Sequence, residues 1–463
     1  VDLLVETKQK LWQVLPLGPT GYGDSPYQCF STFAGNPFLI SIEKLIDESL
    51  LDENTPELKD NFNNKLVDYG RVINFKYAVL RKAFIRFIES KDKQLKTKFN
   101  TFCDKNSSWL DDYALFMSLK DHFGGKPWSE WEENIKLRRP EAMAKYRKEL
   151  ADNINFQKFM QYIFFKQWFE LKEYANTNEI KIIGDIPIYV AFDSSDAWSS
   201  PSTFYFDEDM NPIKVAGVPP DYFSKTGQLW GNPLYNWETL KETSYAWWID
   251  RIRSINELVD IIRIDHFRGF AGYWAVPYGD KTAANGKWEK GPGAGLFIAI
   301  KNALGDLPIL AEDLGFLTED VHELRDKFGF PSMKILQFGF DSKEGSPYVP
   351  HLFTPNSVVY TGTHDNDTII GWYKKAPEED KHYVREYMNT DAKDISWDFI
   401  RHAWMSVAVF ALAPMQDMLS LDSECRMNTP SVASGNWQWR FTWDQITPQV
   451  KEKLLKLTKL YSR

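Results

Sequence analysis

The sequence predicts an α/β fold, a (β/α)8 TIM barrel carrying a large helical insertion, and three observations lead there. Short apolar, strand-like runs alternate with helix-period stretches, the pattern of βαβ units around a parallel sheet. Four of those runs deliver an acid. Lys181-Ile182-Ile183-Gly184 leads to Asp185, Ile261-Ile262-Arg263-Ile264 to Asp265 and Pro308-Ile309-Leu310-Ala311 to Glu312. Ser357-Val358-Val359-Tyr360 leads through Thr361-Gly362-Thr363-His364 to Asp365. In such a barrel the C-terminal ends of all strands converge on one face, and that face carries the chemistry. Third, the stretch from 42 to 178 breaks the rhythm: apolar residues recur at helical spacing (Phe84, Ile85, Phe87, Ile88) with no convincing strand.

Strands are expected at 11–17, 181–190, 260–266, 308–313, 333–338 and 357–363, with a closing strand at 408–413 before Pro414. Helices are expected at 245–258, 295–304, 318–328 and 397–407. Thr318 serves as N-cap of the third, ahead of Glu319 and Asp320. Residues 2–10 read as the end of a helix, which in a βα alternation should itself follow a strand. The count of seven strands therefore predicts that the first barrel strand, and with it the natural N-terminus, is absent from this chain. Without linker, repeat or low-complexity tract, 1–463 reads as a single catalytic barrel domain, and 42–178 as a predominantly helical insertion on its rim.

Composition narrows the partners. A net charge of −9 argues against nucleic acid, and no apolar stretch is long enough to cross a bilayer. Three cysteines without metal-like spacing, and a start at Val1 with no secretory leader pattern, fit a reducing compartment. The 18 Trp, 21 Tyr and 32 Phe are 15 % of the chain, and several cluster in expected loops such as Gly-Gln-Leu-Trp-Gly-Asn-Pro-Leu-Tyr-Asn-Trp at 227–237. Rings with a polar edge suit stacking against sugars. Each single ring is as readily core.

The acids divide by context. Arg263 and Asp265 stand two apart on a strand and so point the same way, and a guanidinium beside a carboxylate lowers its pKa, as a nucleophile requires. A structural Arg–Asp pair is the bland alternative. Glu312, between an apolar strand and the turn at Gly315, is placed to be desolvated and raised towards a general acid's range. Asp313 alternates into the wall and reads as structural. His364 and Asp365 are suited to sugar hydroxyls near the reacting carbon. A metal is the rival reading, but no second His lies at ligand spacing, so no metal site is assigned.

The strings at 12–40 (WQVLPLGPTGYGDSPYQCFSTFAGNPFLI), 183–190 (IGDIPIYV), 215–236 (VAGVPPDYFSKTGQLWGNPLYN), 262–270 (IRIDHFRGF), 310–315 (LAEDLG), 361–368 (TGTHDNDT) and 426–440 together resemble 4-α-glucanotransferases of the amylomaltase or disproportionating type, glycoside hydrolase family 77 of the α-amylase clan. The resemblance spans nearly the whole chain. It implies Asp265 as nucleophile, Glu312 as acid/base and Asp365 as the residue holding the distorted sugar's hydroxyls. Arg263, His364 and Asp185 would support the donor sugar, and Tyr27 and Trp230 would stack on or gate the substrate. Asn232 and Asp221 would add substrate contacts, with the loop 218–228 over the cleft. It implies α-1,4-glucans as partners, no cofactor, and bacterial cytoplasm or plastid stroma as the compartment. Two departures stand out. A strand and loop that members carry before this point are missing, and the family's Asn-x-Pro-Gly-Thr reads Asn428-Thr429-Pro430-Ser431-Val432 here.

The expected reaction is retaining double displacement, for which paired carboxyls stand roughly 5–5.5 Å apart. Two rival functions are an α-glucan hydrolase on the same scaffold and a catalytically impaired glucan-binding protein.

Overall fold

The computed structural model describes residues 1–220, 224–315, 317–341, 345–432 and 434–463. Its strands, in chain order, are Leu11–Gln13 (β1), Lys181–Ile186 (β2), Lys214–Val218 (β3), Gln228–Pro233 (β4), Ile261–Ile264 (β5), Gly272–Pro277 (β6), Lys287–Lys290 (β7), Ile309–Ala311 (β8), Ser332–Ile335 (β9), Ser357–Tyr360 (β10) and Phe410–Leu412 (β11). Seven of them pair in parallel, in the orders β1-β2-β5-β8 and β9-β10-β11. They are short Ile-, Val- and Leu-rich runs, and β5, β8 and β10 are buried along their whole length. Covered parallel strands take this form because neither face is open to water, and here one face packs strand on strand through Ile183, Ile261, Leu310, Ile335 and Val358. Asp313 links the two sheets: just past β8, its buried carboxylate accepts the Met333 N–H of β9 at 2.7 Å and the Arg325 guanidinium at 2.5 Å. The structural reading of Asp313 fits this contact.

The outer edges of β1 and β11 pair with no further strand among the described residues. Between them lies a cavity of about 850 Å³, lined by Leu11, Gln13, Phe410 and Leu412 and reaching inward to Arg263.

Every regular element of residues 42–178 is a helix, as the spacing predicts, and the longest are Tyr69–Glu89 and Ala151–Thr177. Phe84, Phe87, Phe156 and Phe159 interlock there at ring separations of 5.0–5.6 Å. Ala151–Thr177 also grips the loop that follows β1. Gln161 bonds both the N–H and the C=O of Gly35 at 2.8 Å, and Gln167 does the same for Ser41 at 2.7 and 3.2 Å. Gly35 is required by close approach, since an added Cβ would stand 1.9 Å from the Phe164 ring. This helical stretch thus fixes the segment that carries Tyr27.

Three expectations change. The aromatic-rich stretch 227–237 is not all loop: β4 occupies its first half, in an antiparallel sheet of order β4-β3-β6-β7 that the sequence reading lacks. Gly231, Asn232 and Pro233 disguise it, and they are tolerated because β4 is an edge strand. The strands expected at 11–17 and 181–190 end early, before Pro16 and Pro187, which have no N–H for a ladder. Thr318 sits at the N-cap position, but its hydroxyl bonds the Asp320 carboxylate rather than a backbone N–H.

Candidate active site

Strand register assembles the centre. Asp185 of β2 and Arg263 of β5 are direct partners across the ladder, and Ile264 faces Ala311, the residue before Glu312. The ladder runs one step further: the Asp265 N–H donates to Ile186 O and the Glu312 N–H to Ile264 O, both at 3.0 Å. Asp185 and Arg263 therefore form one step of the ladder, and Asp265 and Glu312 the step two residues beyond it, at the same ends of neighbouring strands.

Asp185 is 2 % exposed. Its Oδ2 accepts from Arg263 Nη1 and from the Tyr27 hydroxyl at 2.6 Å, while Oδ1 has no partner among the described residues. The same Arg263 nitrogen stands 3.2 Å from Asp265 Oδ1, so one buried guanidinium bridges two carboxylates. Arg263 and Asp265 share a face as the alternation predicts. The expected lowering of Asp265 is not found. Burial outweighs the opposing Arg263 charge, and its carboxyl rises to about 6.

Glu312 is raised further, to about 8, by burial first and by the Asp265 charge second. The Arg263 charge and the His266 backbone N–H, which donates to Glu312 Oε2 at 2.7 Å, oppose that rise. His266 takes a left-handed conformation (φ 53°), which turns that N–H towards the acid. Of two neighbouring carboxyls, Asp265 thus ionises first and Glu312 keeps its proton near neutral pH.

Asp365 is different. Crowding in the cleft would raise it, but His364 Nε2 at 3.3 Å and the Asn428 amide at 2.6 Å hold it at about 2. The chain around Asn428 closes over this loop: the Asn428 N–H donates to His364 O at 3.0 Å, and Arg426 bonds Asp365 O. Tyr27 stacks on His364 with ring centroids 5.0 Å apart, and Trp437 stands 5.7 Å from both rings. Trp230 meets His266 edge-on at 4.8 Å.

One residue of the sequence reading falls outside this cluster. Asn232 is buried, its amide donating to Val190 O at 2.8 Å and its oxygen accepting from Gln28 at 3.4 Å, so it braces a loop. Asp221 lies outside the described residues, as do Tyr222 and Phe223 of the loop expected over the cleft. Asn428, Trp437 and the His266 N–H were missed as site groups. Asn428 stood in a quoted string, but nothing in sequence spacing brings it within reach of a residue 63 positions earlier. Among the described residues no His, Cys, Asp and Glu cluster could hold a metal ion.

Ser431 has φ 66° and follows Pro430 in a turn closed by Val432 N–H to Thr429 O at 3.2 Å. Proline then a positive φ is a turn that favours Gly in second place. Ser431→Gly should therefore stabilise the protein, by about 0.5–1 kcal/mol once the greater freedom of the unfolded chain is subtracted. Denaturant titration measures this, and a lower midpoint would show that the serine side chain holds the turn.

Half-buried neighbouring carboxyls, both raised and framed by a guanidinium and a ring cluster on an α/β scaffold, fit an enzyme of the glycoside-transfer or hydrolysis class. A profile of 4-alpha-glucanotransferases matches residues 1–446, and the chain belongs to that family, glycoside hydrolase family 77. It is 50 % identical over 466 residues to the 4-alpha-glucanotransferase of Clostridium butyricum, covering all of this chain and 95 % of that protein. The counterpart from Synechocystis is 48 % identical over 467 residues, covering 100 % and 92 %. The amylomaltase of Streptococcus agalactiae, solved with acarbose, superposes with a TM-score of 0.97 at 42 % identity, covering 100 % of this chain and 94 % of that one. The chain is thus an enzyme with the family's activity, retaining 4-alpha-glucanotransfer.

Proposed function

We propose that Asp265, Glu312 and Asp365 carry a double displacement on α-1,4-glucans, the class on which the names of the relatives bear. The Asp265 carboxylate attacks the anomeric carbon, the bond from that carbon to the leaving glucan's 4-oxygen breaks, and Glu312 gives that oxygen its proton. Glu312, now ionised, takes the proton from the 4-hydroxyl of a second glucan. That oxygen attacks the anomeric carbon, and Asp265 leaves as a carboxylate. Two inversions retain the α configuration.

The observation that carries this reading is geometric: Asp265 and Glu312 follow directly on the paired residues Ile264 and Ala311 of adjacent strands, with the Arg263 guanidinium 3.2 Å from Asp265 Oδ1 and the His266 N–H on Glu312 Oε2. Asp365, held ionised by His364 and Asn428, is suited to accept two sugar hydroxyls as the ring flattens. Tyr27, His364, Trp437 and Trp230 form apolar walls against sugar faces and keep water from the intermediate.

We also read the seven parallel strands as staves of a (β/α)8 barrel whose gap lies between β1 and β11, all of 1–463 as its catalytic domain, and 42–178 as the insertion on its rim. Three unbonded cysteines fit a reducing compartment. No helix among the described residues is long and apolar enough to cross a membrane.

Incubation with maltotriose tests the reaction. Glucose together with maltotetraose and longer products is the expected result. Release of shorter sugars alone would replace transfer by hydrolysis.

A further inference from the structure

The loop that carries His364 and Asp365 leaves β10 at Thr361 and re-enters regular structure at Ile369, the first residue of the helix Ile369–Lys375. Both of these ends are bound by one side chain. Asp417, 2 % exposed in the short helix Met415–Met418 after β11, accepts the Thr361 hydroxyl on Oδ2 at 2.6 Å and the Ile369 N–H on Oδ1 at 2.9 Å. Thr361 and Ile369 are themselves fully buried. Burial pushes the Asp417 carboxyl up to about 6, and its two donors oppose that rise.

Other bonds of the loop, besides those of Asn428 and Arg426 to His364 and Asp365, are of another kind. Asn366 accepts from the N–H and hydroxyl of Thr363 at 2.9 and 2.8 Å, which folds the tip on itself. Gln337 donates to Asp367 O at 2.6 Å, and Lys375 and Ser423 bond the Asp367 carboxylate at 2.6 and 2.8 Å. All of these hold the middle of the loop. Leu412 O also accepts the Thr361 N–H at 3.2 Å, at one end only; among the described residues Asp417 is the side chain that bonds both ends, and so sets the distance between them.

We propose that Asp417 is a positioning residue for the transferase reaction. Its carboxylate clamps both ends of the 361–369 loop, and so fixes the height at which Asp365 meets the sugar hydroxyls. This rests on the role given to Asp365 above. A carboxylate suits the task because its two oxygens accept independently, from a hydroxyl on one side and an N–H on the other. Misplacing a transition-state contact by about 1 Å costs on the order of 10²-fold in rate. A contact made mainly in the transition state shows its loss in kcat rather than KM.

The test is a cycle of Asp417→Ala and Asp365→Asn, assayed with maltotriose and with an aryl α-maltoside whose leaving group makes slow turnover visible. Asp417→Ala alone should lower kcat about 10–100-fold and change KM less than about twofold. In the Asp365→Asn background the same substitution should change kcat less than about threefold, because its route to the chemistry is gone. Additive losses, or a rise in KM matching the fall in kcat, would overturn the proposal. Thr361→Val frees one end only and should give a smaller kcat loss with the same lack of additivity. It decides the question if Asp417→Ala does not fold, as read by circular dichroism. A full-rate Asp365→Asn would instead refute the role of Asp365, an outcome visible before Asp417 is touched.

Discussion

Asp265→Asn is expected to lower glucan transfer by at least about 10⁴-fold while leaving maltooligosaccharide affinity within a few-fold of the parent. The size follows from removing a covalent nucleophile, after which the site's other contacts still bind substrate but give the anomeric carbon no partner. Affinity is spared because Asp185, Tyr27, His364 and Trp230 are untouched. A second readout comes from the electrostatics. The Asp265 charge is, after burial, the largest cause that holds Glu312 near 8, so its removal should let Glu312 titrate lower. Calorimetry with maltohexaose measures the binding, and product analysis measures the rate. Full activity in this variant would remove Asp265 from the reaction.

Glu312→Gln is expected to cost roughly 10²–10⁴-fold with natural glucans, the usual worth of a positioned general acid and base. The loss should depend on the donor. An aryl maltoside with an acidic leaving group needs no proton, so its first step should survive and the covalent intermediate should accumulate for want of a base. The pH profile gives the sign. In the parent, kcat/KM should rise as Asp265 loses its proton near 6 and fall as Glu312 loses its own near 8, with the optimum between them. In the Gln variant the falling limb should vanish and the rising limb remain. A variant that kept both limbs would show that another group donates the proton.

The parallel strands were legible because strands buried on both faces read as unbroken apolar runs, and their acids were legible because each stands at the end of such a run. What blurred was where strands stop. Leu15-Pro16 and Pro187 look apolar and strand-like, yet proline ends the ladder whatever its hydropathy. The antiparallel sheet went unread because Gly231-Asn232-Pro233 carries the composition of a loop and β7, Lys-Trp-Glu-Lys, that of a surface. At the site, chemistry was legible and support was not. Asp265, Glu312 and Asp365 announce themselves by type and place. Asn428, Trp437 and Asp417 act on residues 63, 73 and 56 positions away, distances that only the fold closes. The balance at Asp265 was misjudged for a related reason. Arg263 is visible in the sequence, whereas the burial that overrides it is a property of the assembled cleft.

The long reach of these contacts also has a meaning for how the molecule is made. The Tyr360 hydroxyl bonds Gln13 and the Tyr69 hydroxyl bonds Trp437 O, partners 347 and 368 positions apart. A ribosome adding roughly 5–20 residues per second needs on the order of 20–70 s to pass from one such partner to the other. Through that interval the early segments must wait without the groups that complete them, and Asp365 likewise waits for Asn428, 63 positions later. The nascent chain therefore gains its catalytic centre only once residue 428 has been made, and a polypeptide stalled before it should be silent on glucans however well the preceding segments have folded.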